Sequence, residues 1–226
     1  MNKILTALCI IGMSMLPTLS RAQGIESGQS MISLYGGLGS ALQKSGLEAD
    51  RENLSWGNIG GEVGLSYFWF PEAHVGLGAD LNLAGFQGSE IFHRDVPGWR
   101  HWHTFESDME MNMLNLMAAG RLNVNPDSPI RLYFPFGAGI VFTEGEIRYM
   151  WDGKEIDNES ELGTSFGWYA GIGLEFDQSD HLAWGIEARY NSFWYDYTDL
   201  ADYHRRWNGK ETEQSYISLT LNIRFK

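Results

Sequence analysis

Cysteine is almost missing from this chain: there is one, Cys9. It lies in a stretch built like a cleaved leader. Lys3 precedes an apolar run over residues 4–16, and Ser20-Arg21-Ala22 puts small residues at the two positions a signal peptidase reads. This predicts a secretory signal peptide over residues 1–22, cut after Ala22. At 1.5 Å per residue the run is too short to cross a hydrocarbon core of about 30 Å, which excludes a membrane anchor. Leu8 is a poor fit to the small residue that lipoprotein processing needs before its cysteine. The remaining domain, residues 23–226, therefore has no cysteine, and an exported chain without disulfides relies on its own packing or on a membrane.

Positive charge is also scarce. Without Lys3 and Arg21, 14 Lys and Arg face 29 Asp and Glu, so the formal net charge moves from -13 to -15. Nucleic acid is excluded as a partner on that balance. After the leader no apolar run is long enough for a membrane helix, so any form that spans a bilayer must be a closed barrel. Linkers and low-complexity segments are absent as well, and the length suits one domain.

What the chain does have is alternation. Over residues 215–225, Ile217, Leu219, Leu221, Ile223 and Phe225 fall on one side of an extended chain, with Tyr216, Ser218, Thr220, Asn222 and Arg224 on the other. Seven earlier segments repeat the period of two that marks a strand with one oily face. They are residues 30–38, 60–70, 75–86, 111–124, 130–143, 164–176 and 182–195. Three connections are tight and rich in turn formers, at residues 71–74, 125–129 and 177–181. Four are long and polar: 43–58, 87–110, 145–163 and 196–213. Strict short-long alternation puts every long loop at one end of an antiparallel meander. The expected fold is all-β: an eight-stranded antiparallel up-and-down transmembrane β-barrel, with short periplasmic turns and four long extracellular loops.

The two faces show which side meets lipid. Aromatic residues sit near segment ends on the oily face, with Tyr67, Trp69, Trp184 and Phe225 near the short turns and Phe142, Phe166, Trp168 and Trp194 near the long loops. Those positions match the two interfacial belts of a membrane barrel. The opposite face carries Glu62, Asp80, Glu175 and Glu187 with Arg121, Arg131, Arg189 and Arg224, four acids against four bases. Eight strands enclose a lumen just wide enough for side chains, and buried charges persist when paired. A plugged, ion-paired interior is expected, with Arg224 needing an acid such as Glu175. Glycines at 37, 39, 76, 78, 137, 139, 171 and 173 leave room there for long Arg and Glu chains.

With these features the chain resembles the small outer-membrane β-barrels of the OmpA/OmpX type, especially the Bacteroidetes-like outer membrane protein beta-barrel domain. The residues that carry the resemblance are Gly60-Gly61-Glu62-Val63-Gly64-Leu65-Ser66-Tyr67-Phe68, Val75-Gly76-Leu77-Gly78-Ala79-Asp80-Leu81-Asn82, Ile130-Arg131-Leu132-Tyr133-Phe134-Pro135-Phe136-Gly137-Ala138-Gly139 and the closing strand. It covers essentially all of residues 23–226 and implies the outer membrane of a Gram-negative bacterium. These motifs specify a barrel and no activity.

Candidate chemistry is sparse. His93, His101 and His103, with Asp95, Glu106 and Asp108 nearby, form the sharpest cluster. His101 and His103 flank Trp102, so in an extended chain both imidazoles face one way, a geometry zinc can use. No spacing around them matches a closed metal site, and solvated loop histidines are the simpler account. Ser192 and His204 with Asp196 or Asp199 are the nearest approach to a catalytic set, and no His-x-Ser on a strand supports it. The long connections are rich in aromatics, including Trp99, Trp102, Trp151, Tyr203 and Trp207, the residue types that contact surfaces use. Arg94, Arg100, Arg205 and Arg206 suit anionic lipopolysaccharide. The sequence thus favours a non-enzymatic barrel without cofactor, which displays its loops for adhesion, envelope integrity or docking in a membrane complex. Its partners are outer-membrane lipid, lipopolysaccharide and an extracellular or outer-membrane protein. A barrel enzyme acting on lipid or peptide at the outer rim, a small passive channel and a soluble ligand-binding barrel are the alternatives.

Overall fold

Alternation becomes hydrogen-bonded sheet throughout. The computed structural model describes residues 24–42, 59–94, 103–195 and 212–226; the expected signal peptide lies outside them. Among the described residues there are eight strands: β1 (Ser30–Ala41), β2 (Ile59–Glu72), β3 (Val75–Arg94), β4 (His103–Asn123), β5 (Ile130–Trp151), β6 (Lys154–Asp177), β7 (Leu182–Tyr195) and β8 (Thr212–Phe225). Each pairs antiparallel with its neighbour in sequence, and β8 returns to β1 to close the barrel. Along that seam Ser33 faces Arg224, Gly37 faces Thr220 and Ala41 faces Tyr216. Closure satisfies the backbone groups that a sheet edge would leave open, which a bilayer core demands.

Burial follows parity strand by strand. On β8, Leu219, Leu221 and Ile223 are more than half exposed, whereas Ser218, Thr220 and Asn222 are buried. Leaving a Leu or Ile side chain in water forgoes roughly 1.5–3 kcal/mol of burial, and aliphatic residues on the other strands share this outer face. Lipid is the solvent that removes the cost. Ring pairs reinforce the ends of the belt: Phe176 stacks on Trp184 at 4.5 Å and Phe166 on Trp194 at 5.9 Å between ring centres.

The end with the short turns is tightly tied. Asn125 spans its own turn, donating from Nδ2 to the Ile130 carbonyl at 2.7 Å and accepting from the Leu132 amide at 2.8 Å. The segment before β1 tucks under the same end, where the Ile25 amide donates to the Pro126 carbonyl at 3.0 Å. Ile25 packs there with Met31, Phe68, Phe70 and Ala119 as an apolar floor.

Two of the four long connections are built largely of strand, which differs from the polar loops expected at 87–110 and 145–163. β3 runs on to Arg94 and β4 starts at His103, while β5 and β6 are joined by Asp152-Gly153 alone. Those two residues have φ of 46° and 77°, the paired left-handed conformation of a type I′ hairpin turn. The physical reason is solvent. Above the membrane both faces meet water, so the oily-wet contrast that marks the other strands disappears while backbone pairing continues.

Candidate functional site

Inward-facing positions of every strand contribute to a polar stack in the lumen. In its lower layer Glu175, from β6, receives three guanidinium groups. Arg121, at 2.8 Å, and Arg224 share its Oε2, and Arg131 donates to Oε1 at 3.0 Å through Nε. Arg131 also pairs with Asp177, and Lys226 Nζ lies 2.5 Å from the same carboxylate. Tyr133 stands between the guanidiniums of Arg121 and Arg224, whose centres lie 4.0 and 4.2 Å from its ring. Its hydroxyl donates to Glu187 at 2.7 Å.

Higher in the lumen Arg189 plays the central part. It pairs with Glu187, and its Nη2 lies 3.3 Å from Asp80. Its guanidinium is held by the rings of Tyr35 and Tyr169, at 4.3 and 4.7 Å. The Tyr35 hydroxyl donates to Asp80 at 2.6 Å. Asn115 donates to Asn82 at 2.9 Å, and Asn82 in turn to Glu62 at 3.0 Å. Above this stands an apolar layer that includes Phe86, Met111, Met113, Phe193 and Tyr216. Arg–carboxylate contacts of this kind are charge-assisted and directional, and stacking on aromatic faces adds to them.

All eight charged residues read from the alternation are therefore buried and inside. Glu62 differs from the other seven in making no ion pair among the described residues. Asp177 and Lys226 belong to the same set. Asp177 had been assigned to a turn, although it continues the parity of Gly173 and Glu175; Lys226 likewise continues that of Arg224. The alternation puts Tyr35, Tyr133 and Tyr169 on this inward face as well, without showing their stacking role, and they take much of the room that the glycines leave. A β-carbon at Gly173 collides with the Tyr133 ring, and one at Gly137 with the Tyr169 ring. Glycine thus seats the rings on which the guanidiniums stack.

The other candidates are dispersed. The register sets His93 against Thr104 and His103 against Arg94, so the two histidines are not cross-strand partners; His101 lies outside the described residues. The Ser192 hydroxyl donates to Glu213 at 2.6 Å, while Asp196, Asp199 and His204 lie outside the described residues. Of the aromatic contact candidates, Trp99, Trp102, Tyr203 and Trp207 also lie outside. Trp151 ends β5, half-buried, and donates its indole N–H to Asp152 at 3.1 Å.

Outside the belt, β3 to β6 rise together. β4 stays paired to β5 as far as Phe105 opposite Trp151. Among the described residues, β2 pairs no further up β3 than Gln87, and β7 no further up β6 than Gly167. On β5 the Arg148 guanidinium, 2.7 Å from Glu146, holds that half-buried carboxyl below the usual carboxylate range.

A closed antiparallel barrel with aliphatic residues outside and charge inside is built to be solvated by lipid, and it defines the chain as a transmembrane β-barrel. The chain belongs to the outer membrane protein beta-barrel domain family, whose profile matches residues 6–225. That family places it in the outer membrane of a Gram-negative bacterium. No curated protein sequence matches it. Among solved structures it is similar to Neisserial surface protein A, at 12% identity and a TM-score of 0.50, over 87% of this chain and 96% of that one. It is also similar to OprG from Pseudomonas aeruginosa, at 11% identity and a TM-score of 0.47 over 90% and 98%. Ail, the attachment invasion locus protein of Yersinia pestis, matches at 16% identity and a TM-score of 0.41 over 88% and 98%.

Proposed function

We propose that this barrel is a non-enzymatic scaffold, closed to solutes, that presents its outer strands and connections for adhesion, envelope integrity or docking within a membrane complex. One observation carries the proposal: four neighbouring strands, β3 to β6, continue past the lipid belt as a single sheet. Counted along the strand, β3 alone extends roughly 20 Å beyond Gln87. A sheet raised above the belt adds nothing to the membrane span and is paired strongly enough to hold a fixed surface. The stacked Arg and Glu side chains support closure, since a solute would have to break several buried, charge-assisted contacts to pass.

The test trims the two hairpins in register, joining Gln87 to Glu110 and Glu144 to Leu162 through Asn-Gly turns. Parent and trimmed barrels are compared by affinity capture in detergent from native membranes, with heat-modifiable gel mobility verifying that both fold. Loss of specific partners from the trimmed form is expected; identical partner sets defeat the display role. Conductance above background in planar bilayers defeats the closed lumen.

A further inference from the structure

Methionine is concentrated in one place that neither the barrel fold nor the display role requires. Of nine methionines, three fall in residues 1–22, and four of the other six lie at positions 109, 111, 113 and 117. They share one parity on β4. Met111, Met113 and Met117 are buried in a single apolar cluster with Phe86, Phe193 and Tyr216. Met111 and Met113 line a recess with those three rings, beside Ala41 and Gln214, where β1 and β8 meet the long connections. Gap filling is the ordinary use of methionine in a core, yet it accounts for neither the repeat nor the concentration at the outer mouth.

A second feature lies directly beneath. In the upper lumen the one guanidinium among the described residues, that of Arg189, is taken up by Asp80, Glu187 and Tyr35, which leaves Glu62 without direct contact to it. Glu62 is 4% exposed, makes no ion pair among the described residues, and is held by neutral groups, Asn82 donating to it at 3.0 Å with Ser218 beside it. A buried charge without a counter-charge is costly. Tyr216 joins the two features, since its ring lines the recess and its hydroxyl lies 3.5 Å from Glu62.

We infer that this recess binds a soft monovalent metal cation, Cu(I), through the thioethers of Met111 and Met113, with Glu62 balancing its charge. Residues two apart on a strand face the same way with Cα atoms about 7 Å apart, and methionine has three rotatable bonds with which to converge its sulfur on an ion between them. Thioethers are neutral and soft, so they select Cu(I) over magnesium, calcium or zinc. Among the described residues no group of three or more His, Cys, Asp or Glu forms a harder competing site.

The probe is Ag(I), a redox-inert stand-in, titrated calorimetrically into the full barrel, refolded in detergent and chloride-free nitrate buffer. One equivalent is expected to bind. Met111→Leu with Met113→Leu conserves volume and is expected to weaken binding at least tenfold, Glu62→Gln several-fold, and Met31→Leu, at the opposite end of the lumen, not at all. X-ray absorption at the silver edge of the unmodified protein provides a readout that needs no variant. Sulfur neighbours support the site, and nitrogen neighbours overturn it. Unchanged affinity in the double variant, equal loss in Met31→Leu, or Zn(II) bound as tightly as Ag(I) also overturns it. Unchanged affinity in Glu62→Gln removes the charge-balancing role.

Discussion

Replacing Glu175 by Gln tests how the lower lumen is held. The wild-type layer has four cations, Arg121, Arg131, Arg224 and Lys226, around three carboxylates, Glu175, Asp177 and Glu187. Glu175 is fully buried and touches three of the four. The substitution keeps its shape and removes its charge, so four buried cations are left with two acids. Removing one partner of a buried ion pair costs about 3–5 kcal/mol, because the other charge remains buried and uncompensated. Urea unfolding of the detergent-refolded barrel, followed by gel mobility and tryptophan fluorescence, should show a loss of that size. Adding Arg121→Met to the Gln variant removes one of the stranded charges while keeping apolar bulk against Phe70 and Tyr133. It should restore stability relative to Glu175→Gln, with a coupling energy of at least ~1 kcal/mol in the double-mutant cycle. Unfolding of Glu175→Gln within ~0.5 kcal/mol of the parent, the range of an unremarkable surface change, would refute the reasoning.

Two further outcomes follow from the outer surfaces. Leu221, central on the lipid-facing side of β8 and more than half exposed, should tolerate arginine poorly, with about 2–4 kcal/mol lost on refolding into phospholipid vesicles; an unchanged refolding equilibrium would place that face away from lipid. Gly153→Ala puts a β-carbon at φ 77°, which costs roughly 1–2 kcal/mol. It should therefore raise amide exchange along the upper β5–β6 hairpin while leaving exchange in the belt unaltered.

The strand count, order and lumen parity were legible because a membrane barrel must alternate at every residue where one side is lipid and the other is packed interior. Asp177 and Lys226 were overlooked only because they sit where strand merges into turn. Strand content in 87–110 and 145–163 was not legible, because polar residues occupy both parities there and the contrast of an oily and a wet face is lost. The Asp152-Gly153 pair was the available local signal for the second hairpin. The stacking role of Tyr133, Tyr35 and Tyr169, whose inward parity the alternation shows, was not legible for a different reason. Their role depends on which glycine each faces across the sheet, and that is a matter of register rather than of period.

The seam between β1 and β8 has a consequence for assembly. Ser33 and Arg224, which touch there through a 3.2 Å hydrogen bond, are 191 residues apart in sequence, and Arg224 follows the lumen residues of the seven earlier strands. Until it arrives, Glu175 and Glu187 lack the cation that bridges them, and both edges of the open sheet remain unpaired. Ring closure and completion of the interior are therefore one event, reached only when β8 has been handed over. A chain cut before Arg224 should stall as an unsealed sheet, a substrate for quality-control proteolysis instead of a smaller barrel.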